Sequence, residues 1–285
     1  MDNIVHEFCV IGDPIGHSLS PDIHMKVFKM LGLDLHYTKQ HILPDQLSGF
    51  INDTKGYNRP GFNVTIPHKE KVMKFLDKID PFAERIGAVN TVWNKNGTLI
   101  GYNTDVHGCR IALEQGGWKP NGSVILLGAG GAARAVLSAL HTLQAPSVLL
   151  YDIDPKRCQL LADHFSDLNM NLDIAEKKEQ IETNLPKASL LINASPVGMW
   201  PNIERTPILN TNILHSGMTV FDLVPKPFHT RLLKEAQQKG AAIIPGLSML
   251  VAQALAADEI WLQRTLPPNT HADVMAHMME VIQAS

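Results

Sequence analysis

The 285-residue chain has little of what marks a secreted, membrane-spanning, metal-binding or nucleic-acid-binding protein. Its three cysteines, Cys9, Cys109 and Cys158, are widely spaced with no CxxC pair, which argues against a disulfide framework or a zinc site and leaves them as small buried apolar residues. No stretch reaches the roughly 18 uninterrupted apolar residues that a spanning helix needs. The best run, Leu247 to Ala257, is broken by Ser248 and Gln253, so no membrane is expected. A formal net charge of -3 and the lack of a basic stripe exclude long-range attraction to phosphates, and nucleic acid is not an expected partner. None of the 13 histidines stands in an HExxH or paired Cys/His spacing, so no metal site is expected. Met1 to Val10 carries Asp2, His6 and Glu7 and no basic patch before an apolar core; it does not read as a leader, and a cytoplasmic location is expected. Internal repeats and low-complexity tracts are absent too.

What remains is a globular chain, 45% hydrophobic and long enough for two cores. Phe8 to Ile11 reads as a strand, and Ser20-Pro21 as a helix cap with proline at the first helical position. The helix that follows places Ile23, Val27, Met30 and Leu31 on one face and ends at Gly32. A strand at His36 to Ile42, a helix after Pro44, a strand at Gly61 to Ile66 and a helix carrying Val72, Phe75, Leu76 and Ile79 come next. Ala88 to Trp93 and Thr98 to Tyr102 flank Asn96-Gly97 as a β-hairpin. Beyond Asp105 the pattern is regular, with strands at Ser123 to Leu127, Ser147 to Tyr151, Ser189 to Asn193, Thr219 to Val224 and Ala241 to Ile244. The expected fold is α/β in two domains: residues 1–105 for substrate and catalysis, joined by C-terminal helices at about 250–285 that pack back, and residues 106–249 as a Rossmann-like doubly wound parallel sheet for a dinucleotide.

In the second half an apolar strand, Val124 to Leu127, runs into Gly128, Ala129, Gly130, Gly131 and Ala132 and then a helix. Glycines there let the backbone turn tightly and approach a pyrophosphate, held by free N–H groups at the positive end of a helix dipole. The next strand ends in Asp152, 24 residues after Gly128, close to the spacing of a ribose-binding carboxylate. That carboxylate accepts from ribose hydroxyls but repels the 2′-phosphate of NADP, so NAD is favoured, with NADP the alternative; Lys156 and Arg157 would offset part of the repulsion.

In the first half, Ser18, Ser20, Thr65, Lys69, Asn90 and Asp105 each end or follow a strand, where ligands of open α/β sheets gather. Hydroxyls and amides suit a small molecule made of a ring, hydroxyls and a carboxylate. Lys69 and Asp105 are the candidates for proton transfer, because reducing a ketone by hydride leaves an alkoxide that must gain a proton. Lysine serves both directions: burial favours its neutral form, and a nearby carboxylate favours the charged one. Lys69 is therefore read as the proton shuttle, and Asp105 as the group that orients it and binds a substrate hydroxyl. Each residue also has a plain structural reading, such as Ser20 as a helix cap, Thr65 as a β-branched strand residue and Asp152 as a helix N-terminal acid.

The strings themselves resemble those of the shikimate dehydrogenase family, which includes the quinate/shikimate dehydrogenases. GDPIGHSLSP at 12–21 resembles its substrate-binding loop, FNVTIPHK at 62–69 its NVTxPxK motif, and GAVNT at 87–91 and GYNTD at 101–105 two further signatures. With the glycine loop and GLSMLVAQ at 246–253, the likeness covers nearly the whole chain. The resemblance implies that Ser18, Ser20, Thr65, Lys69, Asn90, Asp105 and Gln253 bind substrate, that Lys69 and Asp105 form the catalytic pair, and that Leu223 and Gly246 lie along the nicotinamide. It implies reversible reduction of 3-dehydroshikimate to shikimate in aromatic amino acid biosynthesis, by a monomer or homodimer. The alternatives are a quinate/shikimate or aminoshikimate dehydrogenase and, in another class, a non-catalytic nucleotide-binding sensor. Two departures stand out: members using NADP carry Asn-Arg-Thr where this chain has Tyr151, Asp152 and Ile153, and Pro225 replaces a usual tyrosine.

Overall fold

A computed structural model describes residues 7–56 and 59–284, so most of the segment read above for a leader lies outside the described residues. The chain divides into two compact units, Met1–Asp105 with Val251–Ser285, and Val106–Leu250. Among the described residues no helix is long and apolar enough to cross a membrane.

The first unit contains β1 (Glu7–Gly12), α1 (Ser20–Met30), β2 (His36–His41), α2 (Leu47–Gly56), β3 (Gly61–Val64), β4 (Lys78–Ile79), α3 (Pro81–Ile86), β5 (Thr91–Lys95) and β6 (Thr98–Tyr102). Its sheet runs β2-β1-β3-β5-β6-β4. β1 is parallel to β2 and β3, whereas β5 runs antiparallel to β3 and β6. The hairpin turn forms as its residues dictate: Asn96 and Gly97 take φ of 52° and 87°, and the Gly97 N–H donates to Asn94 Oδ1 at 2.8 Å.

Three local expectations need correction. Ser20 does not cap α1: it is the first residue of the helix, and the N-cap position is Leu19, which makes no side-chain capping bond. The apolar run after Pro67 is a short 3-10 turn, Lys71–Phe75, and Ile79 lies in β4 beside Gly101. Asp77 is the cause, because its carboxylate accepts from the Leu99 N–H at 2.8 Å and its own N–H donates to the Leu99 carbonyl, which ties the chain to β6 before a longer helix can form. β5 itself begins only at Thr91, leaving Ala88 to Asn90 as the approach to it.

The second unit opens with α4 (Asp105–Gln115), whose first residue closes the first unit, and continues with β7 (Val124–Leu127), α5 (Gly131–Thr142), β8 (Ser147–Tyr151), α6 (Pro155–His164), β9 (Asn171–Ile174), α7 (Lys178–Asn184), β10 (Leu190–Asn193), β11 (Thr219–Asp222), α8 (Arg231–Gln238) and β12 (Ala242–Pro245). The sheet order β12-β11-β10-β7-β8-β9, parallel throughout, is the doubly wound dinucleotide-binding arrangement. The order reverses between β7 and β10, whose residues are buried along their whole length, as strands covered on both faces must be. The edge strand β9 was not legible in the sequence, because NLDI alternates exposed with half-buried residues.

α9 (Gly246–Leu262) and α10 (Thr270–Gln283) end the chain, and from Val251 onward they belong to the first unit. There Trp261 Nε1 donates to the Val92 carbonyl of β5 at 3.0 Å, and Asp258 pairs with His24 of α1 at 2.7 Å with both side chains fully buried. Burial pushes the Asp258 carboxyl upward while His24 opposes the shift. Gly61 makes the close approach of Trp261 feasible, since a β-carbon there would sit 2.7 Å from the Val92 carbonyl oxygen and collide with the indole. Gly61→Ala is therefore expected to cost about 1–3 kcal/mol, as overpacking does, and to lower the thermal midpoint by roughly 2–4 °C per kcal/mol. A melting curve superimposable on wild type would refute this docking of α9.

Candidate active site

Sheet topology gathers the first unit's polar residues at one edge. The carboxyl ends of parallel β1 and β3 point the same way. Because β5 is antiparallel to β3 and β6, its amino end meets the carboxyl ends of both: Asn63 pairs with Thr91, and Thr91 with Tyr102. Thr65, Lys69, Asn90 and Asp105 thus leave neighbouring strands at a common edge. Gly12 ends β1 at the same edge, and a β-carbon there would lie 2.5 Å from the Thr65 methyl. The loop from β1 to α1 therefore passes tightly over Thr65 and brings Ser18 and Ser20 alongside, with Ser18 Oγ accepting from the Ser20 N–H at 3.3 Å.

Lys69 Nζ donates to Asp105 Oδ2 at 2.5 Å, with side-chain exposures of 15% and 8%. The pair is largely withdrawn from water. The backbone on either side of Lys69 is fixed, since the Lys69 carbonyl accepts from the Val89 N–H and the buried His68 ring bonds the Ile42 carbonyl at 2.6 Å. The other Asp105 oxygen accepts from Asn90 Nδ2 at 2.9 Å. The same amide nitrogen reaches Thr104 Oγ1 at 2.9 Å and Gln253 Oε1 at 3.1 Å. Its orientation is decided by the Thr104 backbone N–H, which only donates and binds Asn90 Oδ1 at 2.8 Å. Thr104 Oγ1 also reaches Gln253 Oε1 at 3.3 Å, which closes the cluster. Of the residues singled out in the sequence, the structure joins Lys69, Asp105, Asn90 and Gln253 directly and sets Ser18, Ser20 and Thr65 at the same edge. Thr91 and Thr104, inside the quoted motifs, went unremarked, although buried hydroxyls beside a strand end are a usable signal.

In the second unit, Gly128 ends β7 at φ +102°, and a β-carbon there would lie 2.9 Å from the Ala194 backbone. Only glycine fits. Gly130, the N-cap of α5, is different, because nothing lies within 4 Å of its β-carbon position, so that glycine serves no packing need of the protein's own. A bare backbone beside the free N–H groups at a helix start is what a pyrophosphate requires. Gly131 opens the helix and Ala132 follows in its first turn. Asp152, just past β8, accepts from the Ala129 N–H at 2.8 Å and the Asp154 N–H at 2.9 Å, so its carboxylate is fixed against the glycine turn. The residues present fit a dinucleotide.

Leu223 and Gly246 also come together, a β-carbon on Gly246 falling 2.5 Å from the Leu223 carbonyl. Behind Leu223 stands Asp222, fully buried, which accepts from Thr230 Oγ1 at 2.6 Å, Asn193 Nδ2 at 2.9 Å and the Val224 N–H at 3.1 Å. Burial pushes its carboxyl up to about 6 against the pull of these three donors. Sequence reasoning passed over Asp222 and Asn193; an acid and an amide closing adjacent apolar strands were the available sign. The cysteines are all free and buried.

Comparison with known proteins agrees with this geometry. The family described as "Shikimate dehydrogenase substrate binding domain" matches residues 10–92. The shikimate dehydrogenase (NADP(+)) of Methanothermobacter thermautotrophicus is 37% identical, the match covering 96% of this chain and 97% of that protein. The crystal structure of shikimate 5-dehydrogenase from Listeria monocytogenes in complex with shikimate and NAD superposes with a TM-score of 0.86 at 30% identity, over 96% of this chain and 98% of that one. Quinate dehydrogenase from Corynebacterium glutamicum in complex with NAD gives a TM-score of 0.86 at 27% identity, over 97% and 99%. The chain belongs to the shikimate dehydrogenase family.

Proposed function

We propose that the chain interconverts 3-dehydroshikimate and shikimate with a nicotinamide dinucleotide, the first unit binding the substrate and moving the proton and the second holding the cofactor. The observation that carries this reading is the Lys69–Asp105 pair at 2.5 Å, held by Asn90 and shielded from water, in the unit whose residues 10–92 match the substrate-binding family. A bound nicotinamide supplies the acceptor or donor of hydride. Lys69 Nζ gives a proton to the oxygen of the reduced carbonyl and recovers it in the reverse direction. Asp105 holds the ammonium in place through one oxygen and is itself held by Asn90 through the other. Gln253 hydrogen-bonds a ring hydroxyl of the substrate. Ser18, Ser20 and Thr65 supply hydroxyls for the remaining polar groups. Gly128 to Ala132 receive the pyrophosphate, and Leu223 with Gly246 forms an apolar backing for the nicotinamide.

For the cofactor, we infer a preference for NAD. The relatives with NADP(+) in their names point the other way, but Asp152 is held by two backbone N–H groups against the glycine turn, and its charge there would oppose a 2′-phosphate. Repulsion at a separation of about 4 Å is about 1 kcal/mol in water and roughly 4 kcal/mol at an effective dielectric of 20. Asp152 is half-buried, so the lower end of that range applies. A quinate-oxidising activity is the second reading, favoured by the same acid and by Pro225 in place of a phenol that would line the substrate. We further propose a cytoplasmic enzyme, monomer or homodimer, acting on a small-molecule substrate.

Steady-state rates of the purified protein on shikimate and quinate with each cofactor test the reading, and turnover of neither acid would end it. Lys69→Ala is expected to cut kcat by about 10²–10⁴-fold, the usual contribution of a positioned proton donor, while cofactor affinity measured by calorimetry stays within about two-fold; a variant of near-native rate removes Lys69 from the mechanism. Asp152→Ala is expected to shift the ratio of kcat/KM values for NAD and NADP toward NADP by about five-fold or more, which corresponds to about 1 kcal/mol; an unchanged ratio discards the charge argument.

A further inference from the structure

Asn90 is held from behind as well as from its active-site side. Its Oδ1 accepts a second hydrogen bond, from Thr91 Oγ1 at 3.0 Å. Thr91 Oγ1 in turn accepts from Asn63 Nδ2 at 3.0 Å, and Asn63 Oδ1 accepts from the Tyr37 hydroxyl at 2.6 Å. The direction of every link is settled by the main chain. Asn63 Nδ2 also donates to the Asn90 carbonyl at 3.1 Å, which fixes the Asn63 amide; its Oδ1 must then receive the phenol's hydrogen. The Thr91 hydroxyl, already accepting from Asn63, has its hydrogen left for Asn90 Oδ1 at 3.0 Å, a shorter contact than Thr104 Oγ1 at 3.3 Å. Burial pushes the Tyr37 phenol well above its ordinary range, so it stays a donor at any working pH. Tyr37 is fixed by stacking on the His24 ring, with centroids 4.2 Å apart and 13° between planes, and His24 is anchored by Asp258.

Tyr37, Asn63, Thr91 and Asn90 are 4%, 6%, 0% and 2% exposed, so no water can replace a missing member. Chains of hydrogen bonds that all point one way polarise one another and strengthen the terminal bond. Here that bond is the Asn90 N–H on Asp105. We propose that Tyr37, Asn63 and Thr91 are positioning residues, a buried one-way hydrogen-bond relay that runs from Tyr37 to Asn90 and holds Asp105, and through it Lys69, in the geometry for proton transfer. Tyr37, Asn63 and Thr91 themselves are placed behind Asn90 and act through it. The relay rests on the reaction proposed above for its kinetic consequence, but its existence is tested separately.

Thr91→Val keeps the shape and burial of the side chain and removes the one hydroxyl that joins Asn63 to Asn90, and Thr91→Ser restores that hydroxyl. With shikimate as substrate, Thr91→Val is expected to lower kcat about five- to ten-fold, the worth of one buried hydrogen bond, with KM for shikimate within about two-fold, and Thr91→Ser to recover most of the loss. A role confined to packing would instead leave kcat of the valine variant unchanged or give the serine variant the larger defect, and either result overturns the relay. Independently of turnover, nuclear magnetic resonance of the Asn90 side-chain amide, assigned by its loss in Asn90→Ala, is expected to show slow solvent exchange in wild type and Thr91→Ser and markedly faster exchange in Thr91→Val. Equal exchange in all three refutes the relay even if the protein turns over shikimate. The expected exchange pattern in a protein that ignores shikimate would uphold the relay and dismiss the reaction.

Discussion

The first unit is organised around one buried amide. Asn90, almost wholly removed from solvent, must satisfy a carbonyl and an amino group without water, and leaving either unmet would cost on the order of 1–3 kcal/mol. Its partners come from three stretches of chain: Thr91 from β5, Thr104 and Asp105 from beyond β6, and Gln253 from α9. The need to satisfy this amide therefore dictates how β5, β6 and α9 meet, and the proton-transfer pair inherits its placement from that requirement.

A different constraint governs the second unit, where backbone must pass close to backbone. Gly128 against Ala194 and Gly246 against Leu223 are places where a single added carbon collides with the main chain. Both lie at the carboxyl edge of the parallel sheet. Asp152 and Asp222 brace the turns from behind by accepting N–H groups, so these two acids orient loops as well as carry charge. Asp152 has two demands on it at once, since the hydrogen bonds that fix the glycine turn also fix the direction of its field.

Much of this was readable before any coordinates. The parallel strands β7, β8, β10, β11 and β12 declared themselves as short apolar runs between helical stretches, and Asn96-Gly97 announced its turn, because these patterns have one dominant physical cause each. Failures arose where a tertiary contact outweighed the local pattern. Ile79 carries a helical spacing but is drawn into β4 by the grip of Asp77 on Leu99, and Ser20 looks like a cap but stands one residue inside the helix, behind Leu19. Within the candidate site, the residues with plausible chemistry of their own stood out, as Lys69 and Asp105 did. Asn63, Thr91, Thr104, Asn193 and Asp222 did not, since their importance lies in whom they touch, and partners up to 163 residues apart, as Asn90 and Gln253 are, leave no trace in local spacing.

The first unit is discontinuous, closed by residues from Val251 onward. Gln253, Asp258 and Trp261 reach it only after the whole second unit has been made. A ribosome-bound chain can complete the doubly wound sheet of the second unit while β5 still lacks the indole over Val92 and Asn90 still lacks its glutamine. The first unit therefore cannot close on its own contiguous stretch, because its buried amide and its β5 edge are completed by chain that lies beyond the second unit.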